Sequence, residues 1–264
     1  MTRPLALVTG ASTGIGYELA RLAAKQGYDL VVVADEPAIQ AAAEDFRRYG
    51  GAVEAVQADL SQLEGVDEAL AAAADRPVDL LFANAGRGHG GAFLDQTTAD
   101  WRRTIDTNVT GTLYLLQLVL MQMTARGGGK VLITGSIAGY VPGAFNAVYN
   151  ATKAFIDNFS EALRNELNEQ AGVTLTTLMP GATDTEFFAR AGMLDTRVGA
   201  AKKADPAKVA RDGWEALMAG KSHVVSGVLN KAQVLAAGLV PQSFLADQHR
   251  KLAEPGSAGS PSPD

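Results

Sequence analysis

Short apolar runs alternate along the chain with longer segments whose apolar residues recur every three or four positions. Residues 5–9, 30–34, 53–57, 80–83, 130–134 and 173–179 are rich in Val, Leu and Ile and lack strict polar alternation. Strands covered on both faces read this way. Between them, residues 15–26, 38–49, 65–74, 99–124 and 148–169 carry helical periodicity. Strand and helix taking turns predict an α/β chain of Rossmann type, a doubly wound parallel sheet with helices on both faces. No linker divides the chain, so residues 1–253 are expected to form one domain. Past Pro180 the alternation loosens, and residues 182–204 read as a mobile substrate loop before a helix from about Pro206. Residues 254–264, rich in Pro, Gly and Ser, are expected to form a disordered tail.

Composition narrows the function classes. Of 264 residues 47% are apolar and 20% charged, with a net charge of −6, and this describes an ordinary globular protein. The acidic balance and the lack of a basic run argue against nucleic acid as partner. Cysteine is absent, which excludes a thiolate nucleophile and a Cys-based zinc site. No His and carboxylate set has metal-ligand spacing, so no metal is expected. The longest apolar stretch, 113–123, is broken by Gln117 and Gln122 and falls short of the roughly 20 residues of a membrane span. The first residues enter a strand-like run without the length of a signal-peptide core. A cytoplasmic location is expected.

The first strand runs into Gly10-Ala11-Ser12-Thr13-Gly14-Ile15-Gly16 and then a helix. A strand-to-helix turn of this kind offers backbone N–H groups and a positive helix end to an anion, and its glycines let a pyrophosphate approach. Asp35 ends the second strand 19 residues after Gly16. A carboxylate there can accept hydrogen bonds from an adenosine ribose, or simply cap the helix that begins at Pro37. Asp35 and Glu36 would repel a 2′-phosphate, and neither Thr13 nor Ala34 is basic. NAD is therefore expected over NADP.

Tyr149 and Lys153 lie four apart in a helical stretch and share a face. An ammonium beside a phenol lowers its pKa and makes it a better proton-transfer group. Ser136 follows the fifth strand and reaches the same sheet edge, where its hydroxyl can steady charge on a substrate oxygen.

The set Gly10 to Gly16, Asn84-Ala85-Gly86, Asn108, Ser136, Tyr149 with Lys153, and Pro180-Gly181 resembles the short-chain dehydrogenase/reductase (SDR) family over residues 4–230. The resemblance implies catalytic roles for Asn108, Ser136, Tyr149 and Lys153, with Asn108 supporting a water that links Lys153 to solvent. It implies cofactor contacts from Gly10, Ser12, Thr13, Gly14, Ile15, Gly16, Asp35, Asp59, Leu60, Asn84, Ala85, Gly86, Tyr149, Lys153, Pro180, Gly181, Thr183 and Thr185. Thr183 replaces a commonly aliphatic residue. It also implies a homodimer or homotetramer, with the apolar 113–123 helix near the interface. The expected function is hydride transfer between NAD(H) and an alcohol or ketone, with Tyr149 as acid/base and a largely apolar small-molecule substrate. The alternatives are an NADP-dependent carbonyl or 3-oxoacyl reductase and a non-catalytic dinucleotide sensor. His89 is expected to be a surface loop residue. Residues 232–252 could cap the substrate site, join a subunit contact or rest on a membrane surface, in that order.

Overall fold

The computed structural model describes residues 2–167 and 172–259. Seven parallel strands form one sheet in the order β3-β2-β1-β4-β5-β6-β7. They are β1 (Leu5–Thr9), β2 (Asp29–Ala34), β3 (Val53–Gln57), β4 (Val78–Ala83), β5 (Gly129–Thr134), β6 (Val173–Met179) and β7 (His223–Val225). The order reverses between β1 and β4, and this places a crevice at the strands' carboxyl ends. The helices are α1 (Gly14–Lys25), α2 (Ala38–Arg47), α3 (Leu63–Ala71), α4 (Thr98–Ile105), α5 (Thr112–Ala125) and α6 (Ala147–Glu166), followed by α7 (Phe187–Arg190), α8 (Arg197–Ala200), α9 (Pro206–Met218), α10 (Val228–Ala237) and α11 (Gln242–Ala253). No helix of the described residues is long and apolar enough to cross a membrane.

The period of two along each strand splits the core into two layers. Ala6, Val8, Leu30, Val32, Leu80, Phe82 and Leu132 pack with Leu19, Ile39, Phe46, Val209 and Leu217 of α1, α2 and α9. Their strand neighbours Leu5, Leu7, Val31, Val33, Leu81 and Val131 pack with Val66, Leu115, Val119, Met123 and Ile156 of α3, α5 and α6. Strands so covered need no polar alternation, which accounts for the apolar runs in the sequence.

The structure departs from expectation in five places. The helix expected at 99–124 is α4 and α5 joined by a π-helical segment, Asp106–Gly111. Here Gly111 presses on the Leu60 carbonyl, where a Cβ would lie 1.9 Å from the oxygen. β7 was not anticipated; at three residues it is too short to show a pattern. The 182–204 segment holds α7 and α8, and Phe188, Ala191 and Met193 are buried with Ala253 of α11. Residues 254–259, expected in a disordered tail, are held in place. Ser257 is buried and accepts from the Arg197 N–H at 3.1 Å, Gly256 donates to Asp195 Oδ2 at 2.8 Å, and Ala258 donates to the Asp195 carbonyl at 2.9 Å. Lastly, the helix expected at 148–169 is Ala147–Glu166; its last two expected positions and tail positions 260–264 lie outside the described residues.

Candidate active site

The carboxyl edge of the sheet opens into a cavity of about 1150 Å³, more than the roughly 300–1,000 Å³ of a one-ligand pocket. Its floor is the turn after β1. Gly14 has φ +60° and sits so close to Thr185 that a Cβ would lie 2.6 Å from Cγ2. A Cβ on Gly16 would lie 2.0 Å from the Gly10 carbonyl oxygen. Only glycine fits either place. α1 opens at Gly14 with no side-chain cap at Thr13 and no acidic residue in its first turn. Its first N–H groups are thus free to meet an anion at the positive end of a 12-residue helix.

Beyond the turn, carboxylates and arginines from distant parts of the chain meet. Ser12 Oγ donates to Glu36 Oε1 at 2.5 Å, and Arg190 of α7 donates to the same oxygen at 2.6 Å. Arg103 of α4 lies 2.9 Å from Asp59 and 3.4 Å from Asp35. Partial burial pushes the Glu36 carboxyl up, but Ser12 and Arg190 outweigh it and hold it below the usual range. Asp59 is held down in the same way by Ser61 and Arg103 against burial. Arg87, half-buried beside them, has its pKa lowered by burial and by Arg103.

Tyr149, Lys153 and Ser136 line the next part of the cavity. Tyr149 and Lys153 stand one turn apart on α6, with the ammonium 5.9 Å from the phenol ring centroid. Lys153 is 5% exposed, and its Nζ donates to the Thr134 carbonyl at 2.8 Å. Ser136 begins the turn after β5; its Oγ accepts from the Ala138 N–H at 3.1 Å and donates weakly to the Pro180 carbonyl at 3.4 Å. Burial pushes the Tyr149 phenol up to about 12, the Ser136 hydroxyl pulls it down, and Asp157 adds to the rise. Burial brings Lys153 down to about 8, opposed by the charge of Asp157. The expected lowering of the phenol by the lysine is therefore not found, because desolvation is the larger effect.

Asparagines hold this arrangement from behind. Asn108, in the π segment, donates to the Arg87 carbonyl and to Thr152 Oγ1, each at 2.9 Å, and accepts from the Arg87 N–H at 2.8 Å. Both of its N–H groups are thus taken, and only Oδ1 keeps a free lone pair. Asn84 donates to the Thr9 carbonyl at 3.1 Å and accepts from Thr134 Oγ1 at 3.0 Å, joining β1, β4 and β5. Asn150 donates to the carbonyls of Ala138 and Val141, pinning the turn that carries Ser136.

At the far end Pro180, Gly181, Thr183 and Thr185 follow β6. Thr183 is buried and donates to the Gly181 carbonyl at 2.9 Å, so its hydroxyl is spent on the turn. Thr185 Oγ1 accepts from the Phe187 N–H at 3.3 Å. All the expected site residues line the cavity except Gly16, which packs beneath the turn, and Asn108, which stands behind it. His89 does not line it. Arg103 and Arg190 were not among the expected residues; each finds its carboxylates only through the fold. Among the described residues no cluster of three or more His, Asp or Glu could hold a metal ion.

The free α1 amides, the carboxylates at the tips of β2 and β3, and the turn after β6 fit an elongated dinucleotide. Its pyrophosphate would lie on α1 and its nicotinamide between Tyr149 and Thr185. A general acid/base, a hydroxyl donor and a cation then meet where a substrate oxygen would sit.

The short chain dehydrogenase family model matches residues 4–193. The ketoacyl reductase HetN of Nostoc is 32% identical over 208 residues, 77% of this chain and 70% of that protein. A short-chain dehydrogenase from Sphingobium yanoikuyae, solved with NADPH, is 30% identical with a TM-score of 0.79, covering 92% of this chain and 95% of that one. A short-chain dehydrogenase/reductase from Burkholderia phymatum, solved with NAD, is 25% identical with a TM-score of 0.81, covering 89% and 92%. The chain belongs to the short-chain dehydrogenase family of oxidoreductases, built to use a nicotinamide dinucleotide.

Proposed function

We propose that this chain interconverts an alcohol and a carbonyl compound, with Tyr149 as general acid/base and NAD(H) preferred over NADP(H). The observation that carries the reading is the convergence of Tyr149, Ser136 and Lys153 on one cavity floored by the open start of α1. A dinucleotide bound there supplies or accepts the hydride. Ser136 donates a hydrogen bond to the substrate oxygen, and Tyr149 gives that oxygen a proton in reduction or removes one in oxidation. Lys153, held by Thr134, supplies positive charge beside the phenol and would hold ribose hydroxyls. The high phenol pKa keeps Tyr149 protonated at neutral pH, the form that reduces a carbonyl.

Asp35 and Glu36 support the NAD preference by their charge at the adenosine end. Arg103 and Arg190 partly offset them, so the preference is expected to be modest. A homodimer or homotetramer is supported by Met121 on α5, 63% exposed, and by the stacked Phe155 and Phe159 on α6. Tyr149→Phe should leave NADH binding, followed by its fluorescence, nearly intact and lower kcat by about 10²–10⁴. Wild-type kcat in that variant would rule the mechanism out.

A further inference from the structure

Two polar groups in the cavity have no part in proton or hydride transfer. His249 lies on α11 among the apolar Phe244, Leu245 and Leu252, all lining the same space. Its Nδ1 is 2.9 Å from the Ala144 carbonyl oxygen. A carbonyl only accepts, so Nδ1 carries the proton and Nε2 of the neutral ring is a bare acceptor. Burial favours the neutral ring, lowering its pKa against the pull of Ala144. Asn146, 5% exposed, also lines the cavity, and its Oδ1 is buried without a partner. It stands at the N-cap of α6 yet makes no capping hydrogen bond.

The turn between them is fixed from several sides. Phe145 has φ +63°, a left-handed conformation costly for a residue with a Cβ. Its carbonyl accepts from the Gly91 N–H at 2.9 Å, and the Arg250 guanidinium stands 4.9 Å from its ring centroid. α11 is therefore tied, through His249 and Arg250, to the turn that leads into Tyr149. Around these groups the wall is apolar, with Val234 and Leu245 inside and Val228 and Leu229 exposed by 82% and 80%.

We propose that His249 and Asn146 form a polar subsite that selects a bulky, mainly apolar ketone or alcohol carrying a second hydroxyl remote from the reacting carbon. The proposal rests on the hydride-transfer reading above. Such a hydroxyl donates to His249 Nε2 or Asn146 Oδ1 and can accept from the Asn146 amide. An analogue without it covers His249 Nε2 and leaves Asn146 Oδ1, already shut off from solvent, without a partner, and an unmade buried hydrogen bond is a stronger discriminator than added apolar area.

The test compares a phenyl-substituted cyclohexanone with its para- and meta-hydroxyphenyl analogues, each reduced by the full chain with NADH. The wild type should favour at least one hydroxylated ketone by about 10-fold or more in kcat/KM. His249→Asn can still donate to Ala144 but places nothing at the Nε2 position, so the ratio should fall towards one. Asn146→Ala, which removes no helix cap, should lower the same ratio and decides the matter if the first variant does not fold. A wild-type ratio near one for both analogues, or an unchanged ratio in the folded variants, overturns the proposal. Tight NADH binding without turnover of any of the three ketones would overturn the hydride-transfer reading itself.

Discussion

Replacing Asp157 with Asn should make the protein more stable than the wild type at neutral pH, by an amount that vanishes in acid. Asp157 stands one turn beyond Lys153 on α6, and both carboxylate oxygens are buried without a hydrogen-bond partner. A Cβ on Gly135 would lie 1.8 Å from Oδ1 and one on Gly139 2.6 Å from Oδ2, so the carboxylate fills the room that these glycines leave around Ser136. Burial pushes it from 3.8 to about 7, while Lys153 pulls it down, helped by the nearby Ser136 amide, which does not close a hydrogen bond. A carboxyl that binds its proton more tightly when folded favours the fold fully below about pH 4, and that contribution is lost as the pH rises through about 7. At about 1.4 kcal/mol per pH unit the loss approaches 4 kcal/mol. That figure already contains the attraction to Lys153, so the gap at neutral pH should be about 4 kcal/mol. The assay is urea unfolding at several pH values from 4 to 8, followed by the fluorescence of Trp101 and Trp214 and read as the difference between wild type and variant. Titrating groups remote from Asp157 cancel in that difference, whereas Lys153, which loses the carboxylate's charge, titrates lower in the variant. A gap constant within about 0.5 kcal/mol across the range, or one that moves in the wild type's favour as pH rises, refutes the reasoning.

Further outcomes follow from the same geometry. Reduction needs the protonated phenol and the Lys153 ammonium and should vary little from pH 6 until Lys153 loses its charge near about 8, whereas oxidation needs the phenolate and should speed up with pH, by up to about tenfold per unit. Rates in both directions from pH 6 to 9 check the sign, and a fall in oxidation between pH 7 and 9 would contradict it. Asp35→Ala should narrow the ratio of NADPH to NADH dissociation constants, and Arg103→Ala should widen it by uncovering Asp35 and Asp59; titration of either cofactor reads both. Light scattering should give a mass of two or four chains, and a monomer in dilute solution would remove the oligomer proposal.

The sheet was legible because buried parallel strands leave continuous apolar runs, and β1, β2, β4 and β5 are such runs. The glycine turn after β1 was legible for a different reason: Gly14 and Gly16 are places where no side chain fits. Local pattern reports local constraint, and its limits are visible in α4 and α5. Helical periodicity on either side of Asp106–Gly111 hides the π segment between them, which follows the contact of Gly111 with Leu60 across 51 positions. Electrostatics was the least legible part. In sequence Lys153 reads only as the partner of Tyr149, and Asp157 carries no signal at all; the fold buries that carboxylate one turn beyond the lysine and brings the two pKa values to about 8 and about 7.

The adenosine end makes the same point with consequences for specificity. Asp35 and Glu36 are adjacent in sequence and read as two exposed negative charges, from which a preference for NAD follows. In the fold each has its own arginine, Arg103 from α4 and Arg190 from the segment over the substrate site. The 154 positions between Glu36 and Arg190 carry no local sign of the contact. It also joins two ends of one cavity, since α7 holds Arg190 against the cofactor end while Phe187, on the same short helix, packs 4.8 Å from Tyr149. An adenosine phosphate that drew Arg190 from Glu36 would act on the helix that packs against the phenol.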